Sequence, residues 1–224
     1  MKRVILLIAL FAVTWELKAQ NSDPTRWEAT VGLNVSNLGG LGSRTGFHIG
    51  ARAEFPIFAL DTKGYINAGA ILSLKGCSQD RLELGTIKTN PYYLDIPIHF
   101  GYKHNITRNV SVFGEVGPYF GIGLFGKHKL KDVTITDVEG SHVKEDYEEN
   151  VFADNGLKRF DFGLGFRIGA ELQKRYSVSL GYDWGLLNEY KKGETTAGEY
   201  SNKYWDATPD LKNRNLTISL SYKF

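Results

Sequence analysis

Between Arg159 and Leu187, apolar and polar residues alternate with almost no break. Phe160, Phe162, Leu164, Phe166, Ile168, Ala170 and Leu172 hold one parity; Asp161, Gly163, Gly165, Arg167, Gly169 and Glu171 hold the other. After Gln173, Lys174 and Arg175 the pattern restarts. Tyr176, Val178, Leu180, Tyr182, Trp184 and Leu186 then alternate with Ser177, Ser179, Gly181, Asp183 and Gly185. A period of two puts each set on one face of a strand. The stretch predicts a hairpin with one apolar face and one face of Gly, Ser and charge.

Six more segments share the pattern, giving eight in all. Their apolar parities run Trp27–Val35, Phe47–Ile57, Ile66–Leu74, Tyr92–Tyr102, Val110–Leu124 and Leu216–Phe224. Ile71, Phe113 and Tyr119 stand among the polar positions of their strands. Pro97 and Pro118 fall in the fourth and fifth segments, expected neighbours. Each removes a ladder donor, which predicts local bulges.

A soluble barrel would bury the apolar face; a membrane barrel turns it to lipid. The runs of five to seven alternate apolar positions match the 9–11 residues that a tilted spanning strand needs. The apolar faces carry almost no charge. Aromatics gather at strand ends, as at Trp27, Phe55, Tyr92, Tyr102, Tyr176, Trp184, Tyr222 and Phe224. Such girdles mark the two membrane interfaces. The gaps agree: 58–64, 103–109 and 173–175 are short, whereas 126–158 and 188–213 are long, 76–91 is intermediate and 36–44 short. Short inner turns and long outer loops are the habit of bacterial outer-membrane barrels, and lipid requires the sheet to close. The expected fold is all-β: an eight-stranded antiparallel up-and-down transmembrane β-barrel with long outer loops. Within the 126–158 loop, Lys129–Val138 alternates weakly and Glu139-Gly140 offers a turn, so a hairpin above the membrane is expected. An acidic run of Glu145, Asp146, Glu148 and Glu149 follows it.

The first residues read differently. Lys2 and Arg3 precede an apolar run from Val4 to Trp15, and Leu17-Lys18-Ala19 offers a cleavage site. That pattern predicts a secretory signal peptide over 1–19, followed by a single barrel domain over 20–224. Twelve residues are too few to span a bilayer as a helix. Removing 1–19 takes away Lys2, Arg3, Lys18 and Glu16, leaving 24 basic and 24 acidic residues. A neutral chain gives no electrostatic argument for nucleic acid. The lone Cys77 excludes an internal disulfide, and its polar flanks suggest a loop and a dispensable thiol.

Glu28, Arg52, Glu54, Lys75, Asp95, His99, Glu115, Arg167, Glu171 and Asp183 should all point into the lumen. Eight strands leave room for little but side chains, so these charges should pair into a plug. A polar conduit is the alternative. His48 and His99, inward by parity, show no metal-motif spacing with Glu54 or Asp95. His128 and His142, near Asp132, Asp137, Glu139 and Asp146, show no cation-loop signature. A lipid enzyme would need a nucleophile and His in contact near the membrane edge, and none is evident. No catalytic, cofactor or metal residue is assigned. Tyr190, Tyr200, Tyr204 and Trp205 in the 188–213 loop are equally placed for ligand contact or rim packing.

Tyr93-Leu94-Asp95-Ile96-Pro97-Ile98, Val116-Gly117-Pro118-Tyr119-Phe120-Gly121, Phe160–Glu171, Gly181–Asn188, Lys212-Asn213-Arg214 and Tyr222-Lys223-Phe224 occur in order. Together they resemble the PorT-like outer-membrane β-barrel proteins of Bacteroidetes-type bacteria, over Trp27–Phe224. The resemblance implies an outer-membrane barrel of a Gram-negative cell. Its namesake assists a secretion system, but the extended acidic loop departs from the pattern, and that role is not carried over. Phe224 resembles the terminal signal read by the barrel-assembly machinery. The expected function is non-enzymatic, a structural or interaction role through outer loops. A small pore or secretion component is the alternative, and a lipid-modifying enzyme the third reading. Expected partners are outer-membrane lipid, the assembly machinery and an unidentified extracellular or periplasmic protein.

Overall fold

The computed structural model describes residues 25–57, 63–81, 85–136, 142–153, 156–191 and 210–224. The leader expected at 1–19 lies outside them. Ten strands form: β1 (Arg26–Leu38), β2 (Gly42–Pro56), β3 (Gly64–Leu74), β4 (Cys77–Arg81), β5 (Gly85–Asn105), β6 (Val110–Thr136), β7 (His142–Asn150), β8 (Phe160–Leu172), β9 (Tyr176–Gly185) and β10 (Asn213–Lys223). Eight of them close a ring in the order β1-β2-β3-β5-β6-β8-β9-β10, and β10 returns to β1 from Glu28↔Lys223 to Leu38↔Asn213. Every pairing is antiparallel. Closure leaves no sheet edge within the membrane, where an unpaired N–H or C=O would cost several kcal/mol.

The alternation sorts the faces as expected. Ile168 is 64% exposed and its neighbour Arg167 7%; Leu33 is 62% exposed and Asn34 0%. The apolar parity faces outward on every ring strand, so the polar parity is the interior. This is a membrane barrel turned inside out relative to a soluble one.

Two strands extend the ring outward. β4 continues the line of β3 past Lys75-Gly76 and pairs with β5 through Cys77↔Thr89 to Arg81↔Gly85. β7 pairs with the upper half of β6, from Lys127↔Asn150 to Thr136↔His142. The expected outer hairpin is therefore present, its tip at 137–141 falling outside the described residues, and the acidic run lies along β7. Cys77 corrects an expectation: it sits in a strand and is 1% exposed. The polar flanks misled because Lys75 is buried on Asp95 and Ser78 is half-buried in the strand.

The proline expectation also needs correction. Around Pro97 and Pro118 the β5–β6 ladder skips two pairs, yet Pro97↔Tyr119 and Phe100↔Val116 keep one register. The bulge falls higher, between Tyr92↔Phe125 and Tyr93↔Gly123, with Leu124 as the extra residue. It inverts the parity of β6. Leu124 and Phe125 are both exposed, and His128 turns inward.

The glycines of the inner face make room for large partners. An added Cβ at Gly165 would meet the His99 ring, at Gly101 the Tyr65 ring, at Gly163 the Tyr119 ring and at Gly169 the Phe113 ring. Big and small residues thus alternate across the lumen, which lets side chains fill most of a narrow barrel.

Candidate functional site

All ten charged residues expected in the lumen are buried there. They fall into layers. At the inner end, the Lys223 ammonium lies 2.6 Å from both Glu54 and Glu171, and Lys103 lies 3.0 and 2.9 Å from the same two carboxylates. At mid-depth, Arg52 sits between Glu28, at 2.6 Å, and Glu115, at 3.1 Å. Tyr65 and Asn67 each donate to Glu115 at 3.0 Å. Higher up, Lys75 reaches Asp95 at 2.8 Å and lies 4.7 Å from the Tyr119 ring centre. Tyr119 and Asn213 donate to Asp161 at 2.9 and 3.1 Å, and Asn215 donates to Asp183 at 3.0 Å. Such burial is tolerable because most of these charges find a counter-charge and further donors.

Sequence reasoning missed Lys103, Lys223 and Asp161 as lumen charges. Lys103 continues the parity of Asp95, His99 and Gly101 beyond the assigned strand end, and β5 runs on to Asn105. Lys223 and Asp161 stand on the polar parities of their strands. Ile71, Phe113 and Tyr119, the apolar intruders, are lumen fillers at 8% exposure or less.

The outer mouth is closed by apolar side chains. Leu38, Cys77, Ile87, Tyr93, Val151, Phe152, Leu157 and Leu211 form one buried cluster, with Leu41 and Tyr190 against it. Tyr190 is thus a rim-packing residue; Tyr200, Tyr204 and Trp205 lie outside the described residues. Glu189 sits beneath this cap with no exposure, accepting from Tyr93 Oη at 2.6 Å. Burial, and then the nearby Asp161 charge, push its carboxyl well above the ordinary range. Burial likewise pushes the Cys77 thiol up to about 12, so it is not a reactive thiolate.

The histidines divide. His99 is fully buried, 3.8 Å from Glu115. His128 meets Thr89 at 2.9 Å, an inward contact created by the bulge. The side chain of His142 lies outside those described. Among the described residues no three His, Cys, Asp or Glu side chains gather as a metal site. His48 is the informative one: Nδ1 lies 2.7 Å from Asn34 Oδ1, and Nε2 lies 2.9 Å from Ser219 Oγ. Ser, His and Asn in line have the spacing of a nucleophile, base and orienting group. Sequence reasoning saw no such set, because its members come from β1, β2 and β10 and share no local motif. Its setting opposes catalysis. Asn34 also donates to the Leu74 carbonyl at 2.9 Å, which fixes the chain as wall structure. The void beside His48 is about 10 Å3, about the space of one water molecule. No acyl chain enters that.

Solved barrels offer structural likenesses. The crystal structure of Neisserial surface protein A is 12% identical, with 89% of this chain and 97% of that one covered and a TM-score of 0.44. Ail of Yersinia pestis, crystallised with the heparin analogue sucrose octasulfate, is 13% identical, with 90% and 100% covered and a TM-score of 0.40. The N-terminal β-barrel domain of Pseudomonas aeruginosa OprF is 8% identical, with 88% and 97% covered and a TM-score of 0.33. A comparison with curated proteins found no match. Residues 18–191 match the model of one family, the outer membrane protein beta-barrel domain, and the chain belongs to that family.

Proposed function

We propose that this is a non-conducting, non-enzymatic barrel of the outer membrane that works through its extracellular face. The observation that carries the reading is the double seal. Ion-paired layers fill the lumen from Lys223 to Lys75, and the Leu38–Leu211 cluster covers its outer mouth. A channel needs continuous water, and the void beside His48, at about 10 Å3, supplies room for one molecule. What remains for interaction is outside: the β6–β7 pair, which extends past the ring strands, and the segment 186–191 beyond β9. The ordered motifs from Tyr93-Leu94-Asp95 to Tyr222-Lys223-Phe224 favour the PorT-like branch, and an extracellular or periplasmic protein is the partner class.

Purified protein in planar bilayers should show no stable conductance steps. Reproducible openings would replace the plug by a pore. The enzyme reading meets its own test at Ser219: a fluorophosphonate probe should leave the folded protein unlabelled. Labelling abolished by Ser219→Ala would make the Ser219–His48–Asn34 set catalytic.

A further inference from the structure

On the outer surface, where β2, β3, β5, β6 and β7 meet, an open cleft of about 570 Å3 is lined by Arg44, Tyr92, Phe125, Lys127 and Lys129 and by the carboxylates Glu148 and Glu149. Its floor is aromatic. Tyr92 stacks on Phe125 with centroids 4.7 Å apart, and Phe47 meets Tyr92 edge-on at 6.3 Å. Phe47 and Phe125 are exposed and continue the lipid-facing belt. The bulge at Leu124 is what turns Phe125 outward onto Tyr92; a bulge that re-aims a side chain is a recurrent feature of binding sites.

The upper wall holds the charged side chains. Lys127 and Lys129 converge on one point, which the Glu148 carboxylate occupies at 2.6 and 2.7 Å. Those two ammoniums hold Glu148 down to about 2. Arg44 Nε is shielded from solvent yet has no hydrogen-bond partner among the described residues. A site therefore exists with an apolar end continuous with the membrane, an unused guanidinium donor, and two ammoniums arranged around an anion.

From this arrangement we propose that the cleft binds a phosphorylated lipid of the outer leaflet, its acyl chain along Phe47, Tyr92 and Phe125 and its phosphate at Arg44, Lys127 and Lys129. The volume suits a headgroup and the first part of a chain. Phosphate carries more charge and more acceptor oxygens than a carboxylate, so it competes for the lysines that Glu148 holds. Glu148 is the internal occupant that the phosphate displaces. The proposal rests on the outer-membrane placement and not on the lumen being closed, so a conducting barrel would leave it standing.

The full-length protein in detergent can be titrated with dioctanoyl phosphatidic acid and its adducts counted by native mass spectrometry. Dioctanoylglycerol and inorganic phosphate serve as the two halves of the ligand. Phosphatidic acid should bind well below the concentration either half needs. Lys127→Ala with Lys129→Ala should weaken it about tenfold, the effect of losing charge-assisted hydrogen bonds, and Arg44→Ala should weaken it too. Glu148→Gln should strengthen it. Heat-modifiable migration on gels confirms that each variant is folded. Equal binding of diacylglycerol, equal binding of free phosphate, or no loss in the lysine and arginine variants would each overturn the site.

Discussion

Arg52 bridges two carboxylates that would otherwise be buried side by side, Glu28 and Glu115. Arg52→Ala takes the nearest cation from both in a low-dielectric interior, leaving Glu28 with Lys223 at 3.9 Å and Glu115 with the Tyr65 and Asn67 donors. Removing one member of a buried pair costs about 3–5 kcal/mol, and urea unfolding in lipid vesicles should show a loss of that size. Glu189 gives a pH dependence of known sign. Its carboxyl is raised in the folded state by burial and then by Asp161, with Tyr93 donating to it and Lys75 and Cys77 also close. The folded protein holds a proton that the unfolded chain releases in the ordinary carboxyl range. Its stabilisation is therefore complete below that range and declines as pH rises toward the raised value. The cap answers first, because Glu189 O accepts from Lys158 N–H at 2.6 Å and Glu189 N–H donates to Leu211 O at 3.0 Å. Hydrogen-exchange protection of the Lys158 and Glu189 amides should fall as pH rises from the ordinary carboxyl range toward the raised value. In Glu189→Gln it should stay flat across the same interval; an unchanged slope there would assign the effect to another group.

At the scale of single elements, the β8–β9 hairpin shows both the reach and the limit of the sequence pattern. Its two faces, its length and its tight turn are all legible in the alternation from Phe160 to Leu186, because period two maps directly onto side-chain direction. The turn itself hides a strain that the pattern does not announce. Gln173 and Lys174 both have positive φ, 52° and 58°, with Arg175 N–H donating to Leu172 O at 3.0 Å. Two left-handed residues in a tight hairpin turn favour Asn-Gly, and the β1–β2 turn indeed has Gly39 and Gly40 there. Lys174→Gly should raise stability by about 1 kcal/mol, read as a later unfolding midpoint. What escaped the sequence was whatever depends on register or on joined distant strands. The extra residue at Leu124 is invisible locally, so the inward turn of His128 and the outward turn of Phe125 could not be foreseen. Asn34, His48 and Ser219 meet only through ladder registers spanning the ring closure. The break at Lys75-Gly76 made β4 look like loop, although Cys77↔Thr89 resumes the pairing.

For the whole molecule, the decisive claim is that the apolar parity contacts lipid and the glycine parity contacts the plug. Two substitutions of opposite character test the two faces of neighbouring strands. Leu180 lies midway along β9 and is 45% exposed. Leu180→Arg places a charge against hydrocarbon and should cost about 2–4 kcal/mol near the bilayer midplane. Gly163 faces inward, and an added Cβ there would run into the Trp184 carbonyl and the Tyr119 ring. Gly163→Leu should thus fail for a different reason, overpacking, which costs about 1–3 kcal/mol or more where backbone resists. Solvent discriminates the two. Were this same outward face bathed in water instead of lipid, Leu180→Arg would cost little. Vesicle-folded protein should lose stability with both changes, and detergent of short chain length should ease the arginine but not the leucine, because only the arginine can find water by a thinner belt. If both variants folded with unchanged midpoints in vesicles, neither face would have the surroundings assigned to it.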